Sequence, residues 1–185
     1  MLVKDVIISA LNILGRLDLV KMLSDGVVSE GEGEETVNIL LYCFNAVEDE
    51  LARRYIPLNE KEELRSYTGK FKYTDFAHSP VKIKRVLVGG EQADYELTTQ
   101  YIAVNADTIT VEYEYAPSKK VIEGSSDFKT EVGERLMALG IAAEFCLING
   151  EIEASELWEK KYRERIDEVQ RALPAGGNIP PRRWV

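Results

Sequence analysis

Apolar residues recur at helical spacing at both ends of this chain and at alternate positions in its middle. Residues 3–14 (VKDVIISALNIL) put Val6, Ile7, Ala10, Leu11 and Leu14 on one stripe, and Gly15 stands where a helix-ending glycine belongs. A polar loop comes next, ending in SEGEGEE. From about Glu34 to Tyr55 a second helix is predicted, with Val37, Leu40, Leu41, Phe44, Val47 and Leu51 as its apolar stripe. Its first turn is acidic and its last carries Arg53 and Arg54, both favourable to the helix dipole, and Pro57 ends it. A third helix is predicted over about 130–149, on Val132, Leu136, Leu139, Ala143 and Leu147, and Asn149-Gly150 breaks it. A fourth, over about 153–172, repeats Trp158, Tyr162, Ile166, Val169 and Leu173.

The period falls to two between these pairs. TITVEYEY (108–115) alternates strictly, with Ile109, Val111, Tyr113 and Tyr115 on one face. VKIKRVLV (81–88) reads as a second strand that closes at a Gly89-Gly90 hairpin turn. DYELT and YIAV add short strands, and RSYTGKFKY another. The expected fold is therefore α+β and mainly α. An antiparallel helix bundle carries a small antiparallel β-meander, about 66–116, between helices two and three. One domain is expected over 1–173.

The remaining stretch, 174–185, cannot continue a helix. Pro174 and Gly176-Gly177 stop regular structure, and Pro180-Pro181 stiffens the last few residues into an extended rod. Arg182, Arg183 and Trp184 come next, with no acid between Ala172 and the end. Such a segment loses little entropy on docking, and Trp and Arg dominate binding hot spots. Pro180, Pro181, Arg182, Arg183 and Trp184 are the expected partner-binding residues of an extended C-terminal arm.

Composition sharpens this. The 185 residues carry 23 Lys and Arg against 32 Asp and Glu, a net charge of −9 that argues against general nucleic-acid binding. Cys43 and Cys146 belong to no CxxC pair, and a single histidine cannot complete a usual zinc set, so buried free thiols are expected and no metal. No segment reaches the length of a membrane span and the N-terminus lacks a signal-peptide pattern, so synthesis in the cytoplasm and no membrane contact are expected. His78 sits in a loop beside Ser79 and Pro80 with no nucleophile motif nearby. GEGEET has glycines but no lysine, and its acids would repel a phosphate. Glu48-Asp49-Glu50 point in different directions from a helix and read as its solvated face, and Trp158 and Tyr162 read as core. Neither a catalytic residue nor a cofactor site is expected; an enzyme, such as a hydrolase with paired carboxylates, ranks last.

The order of elements resembles the neck adaptor of tailed bacteriophages, the tail tubular protein A or gatekeeper group. ALNILG (Ala10 to Gly15) is similar to that family's A-[VL]-N-x-[IL]-L-x-x-[IL]-G opening, with Gly15 arriving early. EETVNILLYCFNAVEDELARRY resembles its second helix. DTITVEYEYAP, with the stretch from Phe128 to Ala172 after it, resembles its strand-to-helix-hairpin half, including an E-x-x-x-x-x-R-I helix. The chain departs from the family at Tyr55-Ile56-Pro57, where relatives carry a Gly-Trp pair. The resemblance implies a structural virion protein in the neck between capsid portal and tail. Copies would form a ring, dodecameric in many relatives, from chains that are monomeric before assembly. The arm would dock on the portal and a tail or nozzle protein would bind the opposite side. DNA would pass through without specific binding, along a channel with acidic surface. The alternative is an intracellular protein-binding module that uses the same tail on another acidic partner.

Overall fold

The computed structural model describes residues 1–24, 32–128 and 132–172. The arm, with Pro180, Pro181, Arg182, Arg183 and Trp184, lies outside the described residues, as does Leu173 of the fourth apolar stripe. Within them the fold is α+β, with helices α1 (Val3–Ile13), α2 (Leu17–Ser24), α3 (Glu32–Glu50), α4 (Glu134–Ile148) and α5 (Ile152–Ala172). The strands are β1 (Leu58–Arg65), β2 (Lys70–Lys72), β3 (Pro80–Val88), β4 (Glu91–Gln92), β5 (Glu96–Leu97), β6 (Tyr101–Ala103) and β7 (Thr108–Tyr115).

Helix α4 is the centre of the helical half and packs against α1, α3 and α5. The sequence suggested a single stripe for it, yet Leu136 to Ala143, Phe145 and Cys146 are all buried, because neighbours cover α4 on several sides. Leu147, assigned to that stripe, is instead 52% exposed at the helix end. The chain stops α1 and α4 in the same way. Gly15 and Gly150 adopt φ of 71° and 75°, and the amides of Arg16 and Glu151 reach back to the carbonyls of Leu11 and Cys146 at 2.9 Å. Both are Schellman ends, for which a residue with a Cβ is poorly suited. Helix α3 ends in a wider turn, Leu51–Tyr55, closed by the Ile56 amide on the Leu51 carbonyl at 2.8 Å.

Helix α2, strand β1 and the two-residue β4 were not predicted. Where a polar loop was expected after Gly15, α2 forms and buries Leu19 and Leu23, which are one turn apart. Strand β1 was hidden by its charges (LNEKEELR), so the strand region begins at Leu58 rather than near 66. The strands also form two antiparallel sheets rather than one meander. The larger has the order β1-β7-β3-β4 and the smaller β2-β6-β5. Strand β7 is central, and its Ile109, Val111, Tyr113 and Tyr115 face the core as their alternation required. Gly89-Gly90 makes the β3–β4 hairpin turn, with Val88 opposite Glu91.

The outer face of the larger sheet is a ladder of opposite charges. Glu112 of β7 meets Lys61 of β1 at 3.3 Å and Arg85 of β3 at 2.9 Å, and Glu114 meets Lys84 at 3.2 Å. The Lys61 hydrogen bond, aided by Arg85, holds the Glu112 carboxyl below its ordinary range. On the inner face of β1, Glu62 accepts hydrogen bonds from the Tyr113 hydroxyl at 3.0 Å and the Ala77 amide at 3.1 Å. Burial, with Glu62 next, raises the Tyr113 phenol in turn.

Candidate interaction surface

The first part of α3 carries a second apolar line beside its core stripe. Glu34, Glu35, Asn38, Ile39 and Tyr42 occupy one side of the helix and, with Ile148 from the end of α4, line an open groove of about 700 Å³. Its floor lacks a cover among the described residues: Tyr42 is 67% exposed and Ile148 47%. Leu147 and Ile152, flanking the α4–α5 turn, are also exposed. Its lining acids are Glu34 and Glu35, and the sequence that contains Ile148 is acidic too. Residues 144–159 hold Glu144, Glu151, Glu153, Glu156 and Glu159 and not one Lys or Arg. Sequence reasoning passed over this groove. Its signal was that Ile39 and Tyr42 are large and apolar yet fall off the stripe Val37, Leu40, Phe44, Val47.

A second groove lies between α1, α4 and α5, lined by Ile13, Arg135, Leu139, Trp158, Lys161, Glu164, Arg165 and Glu168. Trp158 is partly buried against the core, and the Lys161 ammonium sits 4.3 Å from its ring centroid. Arg165 pairs with Glu168 on the same helix. Three cations and two carboxylates are interleaved here, two of them paired as Arg165 and Glu168, so the groove offers no cluster of one sign.

Two residues of α3 one turn apart hold the connection that runs from β7 to α4. Asn45 clamps the Lys120 backbone, accepting from its amide at 2.6 Å and donating to its carbonyl at 3.3 Å. Glu48 accepts from the Ser126 hydroxyl at 2.6 Å and the Asp127 amide at 2.9 Å. The Lys120 ammonium then pairs with Asp127 at 2.6 Å. The sequence placed Glu48 on a solvated helix face, but it is 1% exposed. Its neighbours Asp49 and Glu50 do face outward, pairing with Arg53 and Arg54 one turn on. Burial raises the Glu48 carboxyl above its ordinary range, against the pull of Ser126, the Asp127 amide and Lys120. The same connection pairs with the N-terminus, through the Val3 amide on the Gly124 carbonyl at 3.1 Å and the Ser126 amide on the Met1 carbonyl at 3.0 Å.

The residues with potential chemistry are spread apart. His78 stacks on Tyr115, ring centroids 4.2 Å apart, at the rim of the larger sheet. Cys43 and Cys146 are buried and free. Burial pushes the Cys43 thiol up to about 12, with Glu144 adding to it, and the Cys146 thiol up to about 11, with Glu151 adding to it. Since the thiolate is the reactive form, alkylation of the native chain at pH 8 should be at least about a hundredfold slower than that of a free thiol. Unfolding in guanidinium should restore the ordinary rate, and fast native labelling would contradict this burial. Among the described residues, no three His, Cys, Asp or Glu side chains are grouped to hold a metal ion, and no helix is long and apolar enough to cross a membrane.

No protein-family model matches the chain, and no curated protein matches it in sequence.

Proposed function

We propose that this chain is a head-to-tail adaptor of a tailed bacteriophage, a structural protein that extends the DNA channel from the portal toward the tail. The order of elements carries this reading. N-terminal helices, a strand region, an α4–α5 helical hairpin and then a basic Pro-Pro-Arg-Arg-Trp tail succeed one another as in the family it resembles. Its role is mechanical rather than catalytic. Copies pack side by side in a ring through the helical bundle, and the strand region is free to meet a neighbour or a tail protein. The arm, residues 174–185, folds upon docking, with Trp184 as anchor and Arg182 and Arg183 pairing with portal carboxylates. Acidic surface facing the channel lets DNA slide past.

The test is to mix the purified chain with an intact portal ring from the same genome and to measure the mass of the complex. One chain should add per portal subunit, and deleting 174–185 should abolish the gain while leaving the body folded. Failure of the full-length chain to bind would favour a protein-binding module with another partner. Retained binding after the deletion would refute the arm.

A further inference from the structure

The groove between α3 and the end of α4 combines an apolar floor with an acidic rim, and the same chain carries a segment of opposite character. Tyr42 and Ile148 lie exposed and Ile39 half-buried, beside the exposed carboxylates of Glu34 and Glu35. Neither carboxylate is in an ion pair among the described residues. Acids belong in a first helical turn, where the dipole favours them, so their presence alone means little. Here they line one groove with Ile148, which belongs to a stretch (144–159) of five Glu and no base, and with an apolar surface that water covers at a cost. The stretch from Ala172 to Val185 reverses this: it has Arg182, Arg183, two adjacent prolines and Trp184, and no acid.

We propose that in the unassembled protein the C-terminal segment of the same chain, Pro180 to Val185, lies in this groove. Pro180 and Pro181 would cover Tyr42 and Ile39, Arg182 and Arg183 would face Glu34 and Glu35, and the long Trp184 side chain would close the end of the groove against Ile148. Reach permits it. Helix α5 runs parallel to α3, since both are antiparallel to α4, and its last turn is tied to the end of α3 by the Gln170 amide on the Tyr55 carbonyl at 3.1 Å. From there the groove lies back along α3, about 20 Å to Tyr42 and about 30 Å to Glu35 at 1.5 Å per residue. Extended chain from Ala172 spans about 26 Å to Pro180 and about 33 Å to Arg182. Tyr42 is therefore within reach of the prolines and Glu35 within reach of the arginines, in the order that the groove presents them. The segment 25–31 adjoins the start of α3 in sequence, but it carries Asp25 and Glu30 and would add acids to an acidic rim.

If the adaptor reading also holds, portal and groove compete for one arm. Portal docking would then uncover Tyr42 and Ile148 for a neighbouring copy, so that rings form only where a portal is present. The groove contact itself needs no portal, and its test includes none.

The two tryptophan indoles give separate signals in the full-length chain labelled with 15N-tryptophan, and Trp184→Phe assigns them. The Trp184 indole should be as rigid as that of Trp158, by its heteronuclear NOE, and independent of protein concentration. Rigidity should be lost in Arg182→Glu/Arg183→Glu, which leaves the body untouched, and in Glu34→Lys/Glu35→Lys. Combining all four substitutions should restore it. A mobile Trp184 in the wild-type chain would overturn the proposal, as would a rigid one that ignores all of these charges. Rigidity that disappears on dilution would overturn it in favour of a second copy's tail.

Discussion

Glu48→Ala should cost about 3 kcal/mol of stability, while Glu48→Gln should stay within about 1 kcal/mol of wild type. The alanine leaves the Ser126 hydroxyl and the Asp127 amide without their acceptor and removes one of the two α3 clamps on the β7–α4 connection, leaving Asn45 alone. Glutamine keeps an oxygen for both donors and brings no charge into the interior. Glu48 Oε2 and Asp127 Oδ2 are both buried with no hydrogen-bond partner among the described residues, so the carboxylate form of Glu48 is poorly accommodated. Because burial raises its pKa in the folded chain, the stability linked to its protonation is present at acid pH and lost as pH rises through the raised value. Wild type should therefore gain on Glu48→Gln as pH falls from neutral to just above the ordinary carboxyl range. Urea melts of the three proteins at several pH values measure this. Equal losses for alanine and glutamine, or a pH-independent difference between Gln and wild type, would refute the account.

Gly140→Leu should destabilise the helical half by more than about 3 kcal/mol, and Gly140→Ala by about 1–2 kcal/mol despite the better helix propensity of alanine. A Cβ on Gly140 would lie 2.8 Å from Val47 Cγ1 and 2.9 Å from Tyr162 Cε2, so α3, α4 and α5 meet where only a hydrogen fits. Neither obstacle is the far end of a flexible chain; both are held in the core. The control is Gly133→Ala at the α4 N-cap, where a Cβ meets nothing within 4 Å and the expected loss, that of a poorer cap, stays under about 1 kcal/mol. Thermal melts of these variants separate a packing constraint from a propensity effect. The Tyr162 hydroxyl beside this contact is buried without a partner among the described residues, and burial raises its pKa, with Glu50 next. Tyr162→Phe should accordingly be neutral or stabilising, by up to about 1 kcal/mol. A large loss there would mean that the hydroxyl has a partner after all.

Local pattern was enough to locate α1, α3, α4, α5, β3 and β7. Each has a long enough run at one period, and glycine or proline marks ends such as Gly15, Pro57, Gly89-Gly90 and Gly150. The excess of acid over base and the basic, proline-stiffened tail were equally plain in the one-dimensional text. The rest depended on residues far away in the chain. Strand β1 places Glu60 and Glu62 toward the interior, a pattern no strand rule favours, and Glu62 gains its partners from Tyr113 and Ala77, 51 and 15 residues away. Helix α2 is too short to show a period and exists because Leu19 and Leu23 have a core to enter. Glu48 looked like one of three surface acids until Ser126 and Asp127, 78 and 79 residues on, enclosed it. The groove likewise needed α4, since Ile39 and Tyr42 become a surface only when Ile148 is laid beside them. Periodicity is written into neighbouring residues because one helix or strand faces one boundary between core and water. What a buried acid bonds to, and which apolar side chains are left over, is set only when separate elements pack.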